Sequence, residues 1–207
     1  MIAIAICGSI GTGKTTLCNN LSKKAGWSIV HEDVSHNSFL PRFYEDMNRW
    51  ALASQLRFML DKTSRYEFLN SSAEEIVLID RTIEEDFFVF CSALRSYGIL
   101  IDDEYELLKH TFEFLSRSWR RPNVVIYLSD TPENCLLRIL NRGLPGDNKM
   151  ELDYVRKISS QYQIWAKDSI RQPSIELNPS TSDFREAETV VKILERLRQI
   201  LDTQLAG

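Results

Sequence analysis

The feature that most constrains this chain is a glycine-rich octapeptide that directly follows a run of apolar residues, Ile2–Cys7. The octapeptide matches the pattern G-x-x-x-x-G-K-[ST], in which the glycines let the backbone curl so that amide groups point at phosphate oxygens. Lys14 would reach the terminal phosphates, and the Thr15 hydroxyl would reach Mg²⁺. A helix beginning at Lys14 would place its positive N-terminus beneath the anion. We therefore predict a loop that binds ATP or GTP through Gly8, Ser9, Ile10, Gly11, Thr12, Gly13, Lys14, Thr15 and Thr16.

Short apolar runs alternate with longer segments of helical period, which is typical of a parallel sheet covered by helices. The predicted strands are Ile2–Cys7, Ser28–His31, Ile76–Ile79, Val124–Leu128 and Ser174–Leu177. The predicted helices are Lys14–Ala25, Asn48–Leu69, Thr82–Tyr97, Asp102–Trp119, Pro132–Asn141, Glu151–Ser169 and Asp183–Leu201. The expected architecture is an α/β, three-layer fold of the P-loop NTPase type, with a five-stranded parallel sheet flanked by helices and a short lid.

The size and composition of the chain are those of an ordinary globular protein. With 207 residues, 43% hydrophobic and 26% charged, it is expected to form a single domain over residues 1–207. A net charge of −4 argues against binding to nucleic-acid polymers, which requires a basic face. No apolar run reaches the roughly 20 residues that span a membrane, and no secretion signal precedes the first strand. Four widely spaced cysteines without a C-x-x-C pair indicate reduced thiols, so we expect a cytoplasmic protein.

A stretch rich in turn-forming residues, at about residues 142–150, separates two predicted helices. It includes Pro145 and Gly146, and such a stretch flanked by arginines predicts a mobile lid. Arg138 and Arg142 are four residues apart, so they share one face of the preceding helix. Their guanidinium groups are suited to clamping a phosphoryl group in transfer. The alternative is a solvated helix face with ordinary salt bridges.

Acidic residues follow three of the predicted strands: Glu32 after the second, Asp80 after the third and Asp130 after the fourth. The carboxyl ends of parallel strands meet at one edge of the sheet, where ligands bind. The neighbouring pair Asp80 and Arg81 suits a site for magnesium and a transferring phosphoryl group, and Glu32 could accept a proton from an attacking hydroxyl. Each could instead be a turn residue at a strand end. Asp130 begins a helix start signal, so we leave it out of the predicted site.

Several motifs are similar to those of the deoxynucleoside kinase family, above all its bacterial deoxyadenosine and deoxyguanosine kinases. The resemblance covers nearly the whole chain. Its most specific part is residues 37–46 (NSFLPRFYED) with residues 49–55 (RWALASQ), which resemble N-P-[FY]-L-x-x-F-Y-x-D…R-[WY]-A…Q. Residues 80–86 (DRTIEED) resemble D-R-S-I-Y-E-D. Residues 131–143 resemble the lid motif, and Asp183-Phe184 resembles a late Asp-Phe element.

The resemblance implies ATP-dependent phosphorylation of the 5′-hydroxyl of a deoxyribonucleoside, as a step of nucleotide salvage. By position, Glu32 matches the general base that takes the 5′-hydroxyl proton, and Arg81 matches the arginine near the 5′-oxygen. Mg²⁺ would be associated with Thr15 and Asp80. Asp183-Phe184 would lie near the adenine of ATP. Charge on the transferring phosphoryl group would be stabilised by Lys14, Arg81, Arg138 and Arg142.

The resemblance also implies how the acceptor is held. Tyr44 matches the residue that hydrogen-bonds the sugar 3′-hydroxyl, and Asp147 matches its acidic partner from the lid. Gln55 matches the bidentate reader of the base. Lys62 and Asp86 match a pair that favours purines, with lysine where arginine is usual, so deoxyadenosine or deoxyguanosine is the expected acceptor. The family further implies a homodimer.

Two other functions stay open at this point. A nucleoside monophosphate kinase similar to thymidylate kinase shares the loop and an Asp-Arg pair, but it needs further cations for the acceptor phosphate, and His31 stands where its arginine is expected. A family member that binds nucleotide without catalysis is the second, although the complete loop and Glu32 argue against it. Four positions depart from the family pattern: Asp33 and Ser38 each stand where the family has proline, Leu144 replaces a further lid arginine, and Glu85 beside Glu84 adds negative charge.

Overall fold

A computed structural model describes residues 1–32, 34–70, 75–144 and 146–205, so Pro145 of the expected lid lies outside the described residues. The strands within these ranges are β1 (Ile2–Gly8), β2 (Ser28–Val30), β3 (Ile76–Asp80), β4 (Val124–Leu128) and β5 (Ser174–Leu177). They form one sheet in the order β2-β3-β1-β4-β5, and every pairing is parallel. The predicted five-stranded parallel sheet is confirmed.

Helices connect the strands and cover the sheet. In the described ranges they are α1 (Lys14–Ala25), α2 (Leu40–Glu45), α3 (Met47–Asn70), α4 (Ile83–Glu85), α5 (Ser92–Ser96), α6 (Asp102–Leu115), α7 (Pro132–Arg142), α8 (Leu152–Ser169) and α9 (Ala187–Leu205). A π-helical turn, Asp86–Cys91, joins α4 to α5, and a 3₁₀ turn, Asp147–Lys149, follows α7. None of these helices has the length and apolar character needed to cross a membrane.

The side chains of β1 alternate between two apolar cores, because successive residues of a strand point to opposite faces. Ala5 faces the core that contains Tyr162 of α8, whereas Ile4 and Ile6 face the core formed with α1 and α9. A third core lies among α2, α3, the π-helical turn and α6. The predicted three-layer arrangement is thus confirmed. As expected, free thiols are buried at Cys7, Cys18, Cys91 and Cys135.

The helical segments differ from the predictions in four places, one of which is the end of α6 at Leu115 rather than at Trp119. Residues 37–46, which lie outside the predicted helices and strands, contain α2. This helix has Pro41 in its first turn, where a missing amide costs little, and it buries Phe43. The predicted helix Thr82–Tyr97 contains the π-helical turn, in which the amide of Ser92 bonds the carbonyl of Phe87. The last helix begins at Ala187 rather than at Asp183.

Candidate active site

The phosphate loop joins β1 to α1 and lies against α7. Gly11 has a φ of 80°, and a Cβ atom there would lie 2.4 Å from the carbonyl oxygen of Cys135, so only glycine fits this approach. Lys14 Nζ donates to the carbonyls of Gly8 at 2.8 Å and Ser9 at 2.9 Å. The ammonium group therefore lies within the curl of the loop. Burial, together with the charge of Arg81, lowers the pKa of Lys14 to about 8.

The Thr15 hydroxyl donates to Asp80 Oδ2 at 2.6 Å, which brings the end of β3 to the start of α1. The other oxygen of this carboxylate, Oδ1, is buried and has no hydrogen-bond partner among the described residues. Burial raises the pKa of Asp80. A hydroxyl beside a carboxylate with a free oxygen fits a Mg²⁺ ion that takes its remaining ligands from water and phosphate. No cluster of three or more His, Cys, Asp or Glu side chains suited to a metal occurs in the described ranges.

Glu32, directly beyond β2, is held by two cations. Arg81 Nη1 lies 3.0 Å from its Oε1 and 2.9 Å from its Oε2, and Lys62 Nζ lies 3.1 Å from Oε1. Burial alone would raise the pKa of Glu32, but the charges of Arg81 and Lys62 outweigh burial and lower it to about 2. Arg81 has a φ of 67°, in the left-handed region that is rare outside glycine. Such strain often marks functional sites.

Lys62 links Glu32 to the acid at the start of the π-helical turn. Its Nζ donates to Asp86 Oδ1 at 2.5 Å, and both side chains are almost fully buried. Burial raises the pKa of Asp86 to about 6 despite the nearby ammonium. Asp86 Oδ2 has no hydrogen-bond partner within the described part of the chain. The pair predicted from the sequence therefore exists as a buried ion pair beside Glu32.

A cavity of about 80 Å³ lies between Glu32 and the phosphate loop. Ile10 of the loop contributes to its wall, and the polar side chains that line it are Glu32, Tyr44, Gln55, Arg81, Arg142, Asp147 and Tyr154. Gln55 is buried, yet its amide forms no hydrogen bond to any described residue. Lys62 and Asp86 do not line the cavity, although Lys62 contacts Glu32, which does. The cavity is smaller than the roughly 300 Å³ of ordinary ligand pockets, so its walls must move to admit a ligand.

Three residues of the predicted lid, Arg142, Leu144 and Asp147, line this cavity. Arg142 Nε and Nη2 donate to the two carboxylate oxygens of Asp147, at 2.8 and 2.9 Å. Gly146 lies against the ring of Tyr44, where a Cβ atom would come within 2.7 Å of Cδ2. Lys149 reaches across to Glu45 of α2 at 3.0 Å. The segment is therefore anchored both internally and to α2.

Residues 4–202 match the family model for deoxynucleoside kinases. The chain belongs to the deoxynucleoside kinase family. It is 28% identical over 180 residues to the deoxyguanosine kinase of Bacillus subtilis (strain 168), which covers 87% of this chain and 85% of that protein. It is 26% identical over 201 residues to the deoxyadenosine/deoxycytidine kinase of the same strain, and the alignment covers 96% of this chain and 92% of that protein. A solved deoxyadenosine kinase from M. mycoides with bound dATP has the same fold, with a TM-score of 0.84 and 21% identity. The match covers 95% of this chain and 100% of that one.

The other arginine of α7 in this nucleoside kinase, Arg138, does not line the cavity. Arg138 Nη2 donates to Asp130 Oδ2 at 2.5 Å and to the Ser180 hydroxyl at 2.9 Å, and Nη1 donates to the carbonyl of Gly11 at 3.4 Å. Asp130 was expected to act only in a helix start signal. The helix does begin there, with Thr131 as its N-cap, whose hydroxyl accepts from an amide of α7. Asp130 accepts from the Thr131 amide and in addition binds Arg138.

The Asp183-Phe184 element of the kinase splits between surface and core. Phe184 is buried, and its ring would lie 3.5 Å from a Cβ atom at Gly13 of the phosphate loop. Its carbonyl accepts from Asn20 of α1 at 2.7 Å. Asp183 instead pairs with Arg185 on the surface at 2.7 Å. The backbone of this element thus borders the nucleotide loop, while its acid faces solvent.

One acid that contacts the phosphate loop of the kinase, Glu85, is not among the site residues predicted from the sequence. Glu85 was expected to add negative charge beside the site, and its Oε1 accepts hydrogen bonds from the Gly8 amide and from Tyr162 OH. A signal was present: Thr82 and Glu85 have the T-x-x-E spacing of a capping box. That spacing predicts the local contact, whereas the contacts with Gly8 and Tyr162 join residues 77 positions apart.

Proposed function

We propose that this kinase transfers the terminal phosphoryl group of ATP to the 5′-hydroxyl of a deoxyribonucleoside. The observation that carries the proposal is the cavity between Glu32 and the phosphate loop, whose wall also contains Arg81, Tyr44 and Gln55. A carboxylate, a cation and a free amide line this cavity, beside the loop that would hold a triphosphate, and this supports the proposal. A reaction of this type depends mainly on positioning and on charge stabilisation.

Glu32 is the proposed base and Arg81 its cationic partner. Because Arg81 and Lys62 hold the carboxylate ionised, Glu32 can accept a hydrogen bond from a 5′-hydroxyl and orient it toward the phosphate. Arg81 would stay close to the attacking oxygen and to the charge that develops on the phosphoryl group. Lys14 would release the carbonyls of its own loop and bind phosphate oxygens. Mg²⁺, held by Thr15 and Asp80, would neutralise phosphate charge.

Residues 142–150 are proposed to act as a lid. Entry of a nucleoside requires the roughly 80 Å³ cavity to enlarge, and Gly146 packs against the ring of Tyr44, which lines that cavity. Once the pair with Asp147 opens, Arg142 becomes available to the phosphates. Asp147 and the Tyr44 hydroxyl would then face the 3′-hydroxyl, and their crowding against C2′ would disfavour a ribose.

A purine deoxynucleoside is the proposed acceptor. The free amide of Gln55 offers a donor and an acceptor in one plane, which suits the edge of a base. Asp86 keeps one carboxylate oxygen unpaired while Lys62 occupies the other. The relatives named above include a deoxyguanosine kinase and a deoxyadenosine/deoxycytidine kinase, and the assay that follows measures the preference of this chain between bases.

The decisive assay offers labelled ATP with each of the four deoxynucleosides, and with thymidine monophosphate, to the purified protein. A 5′-monophosphate product from deoxyadenosine or deoxyguanosine, absent with Lys14→Ala, supports the proposal. A diphosphate product from thymidine monophosphate alone would instead identify a monophosphate kinase. Binding of ATP without product from any acceptor would contradict the proposed function.

We also propose a homodimer formed through the exposed face of α6. Leu107 and Phe114 are two turns apart on this helix and are 50% and 67% exposed. Apolar side chains exposed on one face often mark an association surface. Light scattering on Phe114→Asp should give a monomer, whereas Ile164→Asp, at an isoleucine of α8 that is 54% exposed, should leave the dimer intact. A monomeric wild-type chain would contradict this proposal.

A further inference from the structure

Glu85 is completely buried beside the catalytic groups, yet it forms no ion pair with any described lysine or arginine. A buried carboxylate is unfavourable unless hydrogen-bond donors surround it. Four donors do so. Oε1 accepts from the Gly8 amide at 3.2 Å and from Tyr162 OH at 2.9 Å. Oε2 accepts from the amide and the hydroxyl of Thr82 at 2.6 and 3.1 Å.

Local capping explains only half of these contacts. Thr82 and Glu85 form the capping box of α4, in which the glutamate side chain returns to the amide of the N-cap residue. Oε2 alone serves that purpose. Oε1 contacts the first residue of the phosphate loop and a side chain of α8, neither of which belongs to the cap. The second oxygen therefore requires another explanation.

Both ends of this contact adjoin catalytic elements. Thr82 directly follows Arg81, whose φ of 67° is disfavoured for residues with a side chain. The Arg81 amide is held on its other side by the carbonyl of Ile6 at 3.2 Å. Glu85 fixes the backbone after Arg81 with one oxygen and the opening of the phosphate loop with the other. The strained conformation of Arg81 is thereby coupled to the position of the loop.

A second contact between α8 and the loop supports this reading. Ser9 Oγ lies 3.0 Å from Ser159 Oγ, and Ser159 and Tyr162 share one face of α8. Within the kinase function proposed above, on which the inference rests, we propose that Glu85 is a positioning residue. It holds the ATP loop and Arg81 in a fixed relation, with Tyr162 as its anchor in α8, and it contacts neither substrate itself.

The test compares Glu85→Gln and Tyr162→Phe with the control Glu84→Gln. Glutamine keeps one oxygen as an acceptor. Its amide nitrogen, itself a donor, then faces the donors that bound the second carboxylate oxygen. Glu84 is the neighbouring acid, whose only ion pair in the described residues is with Arg121 at 3.8 Å, outside the network of Glu85. ATP affinity is measured calorimetrically without an acceptor, and kcat and KM are measured with one, alongside thermal unfolding.

We expect Glu85→Gln to weaken ATP binding about tenfold, as for the loss of a hydrogen bond to a charged group, and to lower kcat at saturating ATP. Tyr162→Phe should also weaken ATP binding and lower kcat, but less than Glu85→Gln does. Glu84→Gln should leave ATP affinity unchanged. A lower unfolding temperature with unchanged ATP affinity and kcat in Glu85→Gln would reduce Glu85 to a helix cap and overturn the proposal.

If Glu85→Gln does not fold, Tyr162→Phe decides, since it retains the ring and loses only one donor. Unchanged ATP affinity and kcat in that variant would overturn the proposal. The ATP-binding measurement needs no acceptor, so it still tests the link to the loop if the wild-type chain phosphorylates none of the deoxynucleosides. Failure of the kinase assay and failure of this inference are therefore distinguishable.

Discussion

Arg142 and Asp147 neutralise each other: two guanidinium nitrogens donate to two carboxylate oxygens at 2.8 and 2.9 Å. Arg142 was predicted to bind phosphate and Asp147 to bind the sugar, so the pair occupies both groups at once. The arginine side chain is 42% exposed and the aspartate side chain 6%. The arginine can therefore turn away from the aspartate into solvent. Substrate binding would exchange this contact for two others, one to phosphate and one to the sugar.

Gly146→Ala should impair the proposed lid, with Gly143→Ala as its matched control. Both glycines have positive φ, 92° and 67°, so each alanine incurs a backbone strain of roughly 1 kcal/mol. Only at Gly146 would the added Cβ meet a neighbour, the ring of Tyr44 at 2.7 Å, while Gly143 has nothing within 4 Å. We expect the KM for the deoxynucleoside to rise several-fold more in Gly146→Ala. Equal effects of the two changes would contradict a role for the contact with Tyr44.

Glu32→Gln should lower kcat by about 10² to 10⁴ while ATP still binds, because the amide orients a hydroxyl but cannot take its proton. The control is Glu75→Gln, which makes the same chemical change away from the cavity, at an exposed acid just before β3. Steady-state kinetics and ATP titration measure the two effects separately. Turnover close to that of the wild type would remove Glu32 as the base.

Asp80→Asn should raise the magnesium concentration needed for half-maximal activity. The free Oδ1 and the Thr15 hydroxyl form the proposed metal site, and an amide is a weaker ligand for a hard cation than a carboxylate. Activity is measured against MgCl₂ at fixed ATP. Asp61→Asn, at an acid of α3 paired with Arg57 on the same helix, is the control. A curve identical to that of the wild type would place the metal elsewhere.

ATP affinity should fall as the pH rises above about 8, where Lys14 loses its proton in the free chain. The pKa is lowered from 10.5, so burying the charged ammonium disfavours the folded state below pH 8, and this cost disappears as the pH rises toward 10.5. In Lys14→Arg the guanidinium stays charged, so its ATP affinity, though weaker, should not change between pH 7 and 9. Titration across this range checks both curves; parallel curves would contradict the prediction.

The sequence by itself determined the elements whose signals are local. Glycine spacing with Lys14 and Thr15 predicts the phosphate loop, since a backbone that wraps a phosphate needs glycine at set positions. Apolar runs predict the five strands, because parallel strands are buried on both faces. The meeting of Glu32 and Arg81 follows from parallel order, which brings strand ends to one edge of the sheet.

Only the tertiary structure decided which polar groups pair. The helix α2 forms where the sequence pattern indicated a loop, because Phe43 is buried in the core shared with α3 and α6. Asp130 binds Arg138, and Glu85 reaches Gly8, 77 residues away. Such contacts depend on packing that brings distant segments together, and a buried polar group takes whichever partner that packing supplies. The sequence therefore determined the chemistry at the edge of the sheet, and the packing of α7 and α8 decided how it is held.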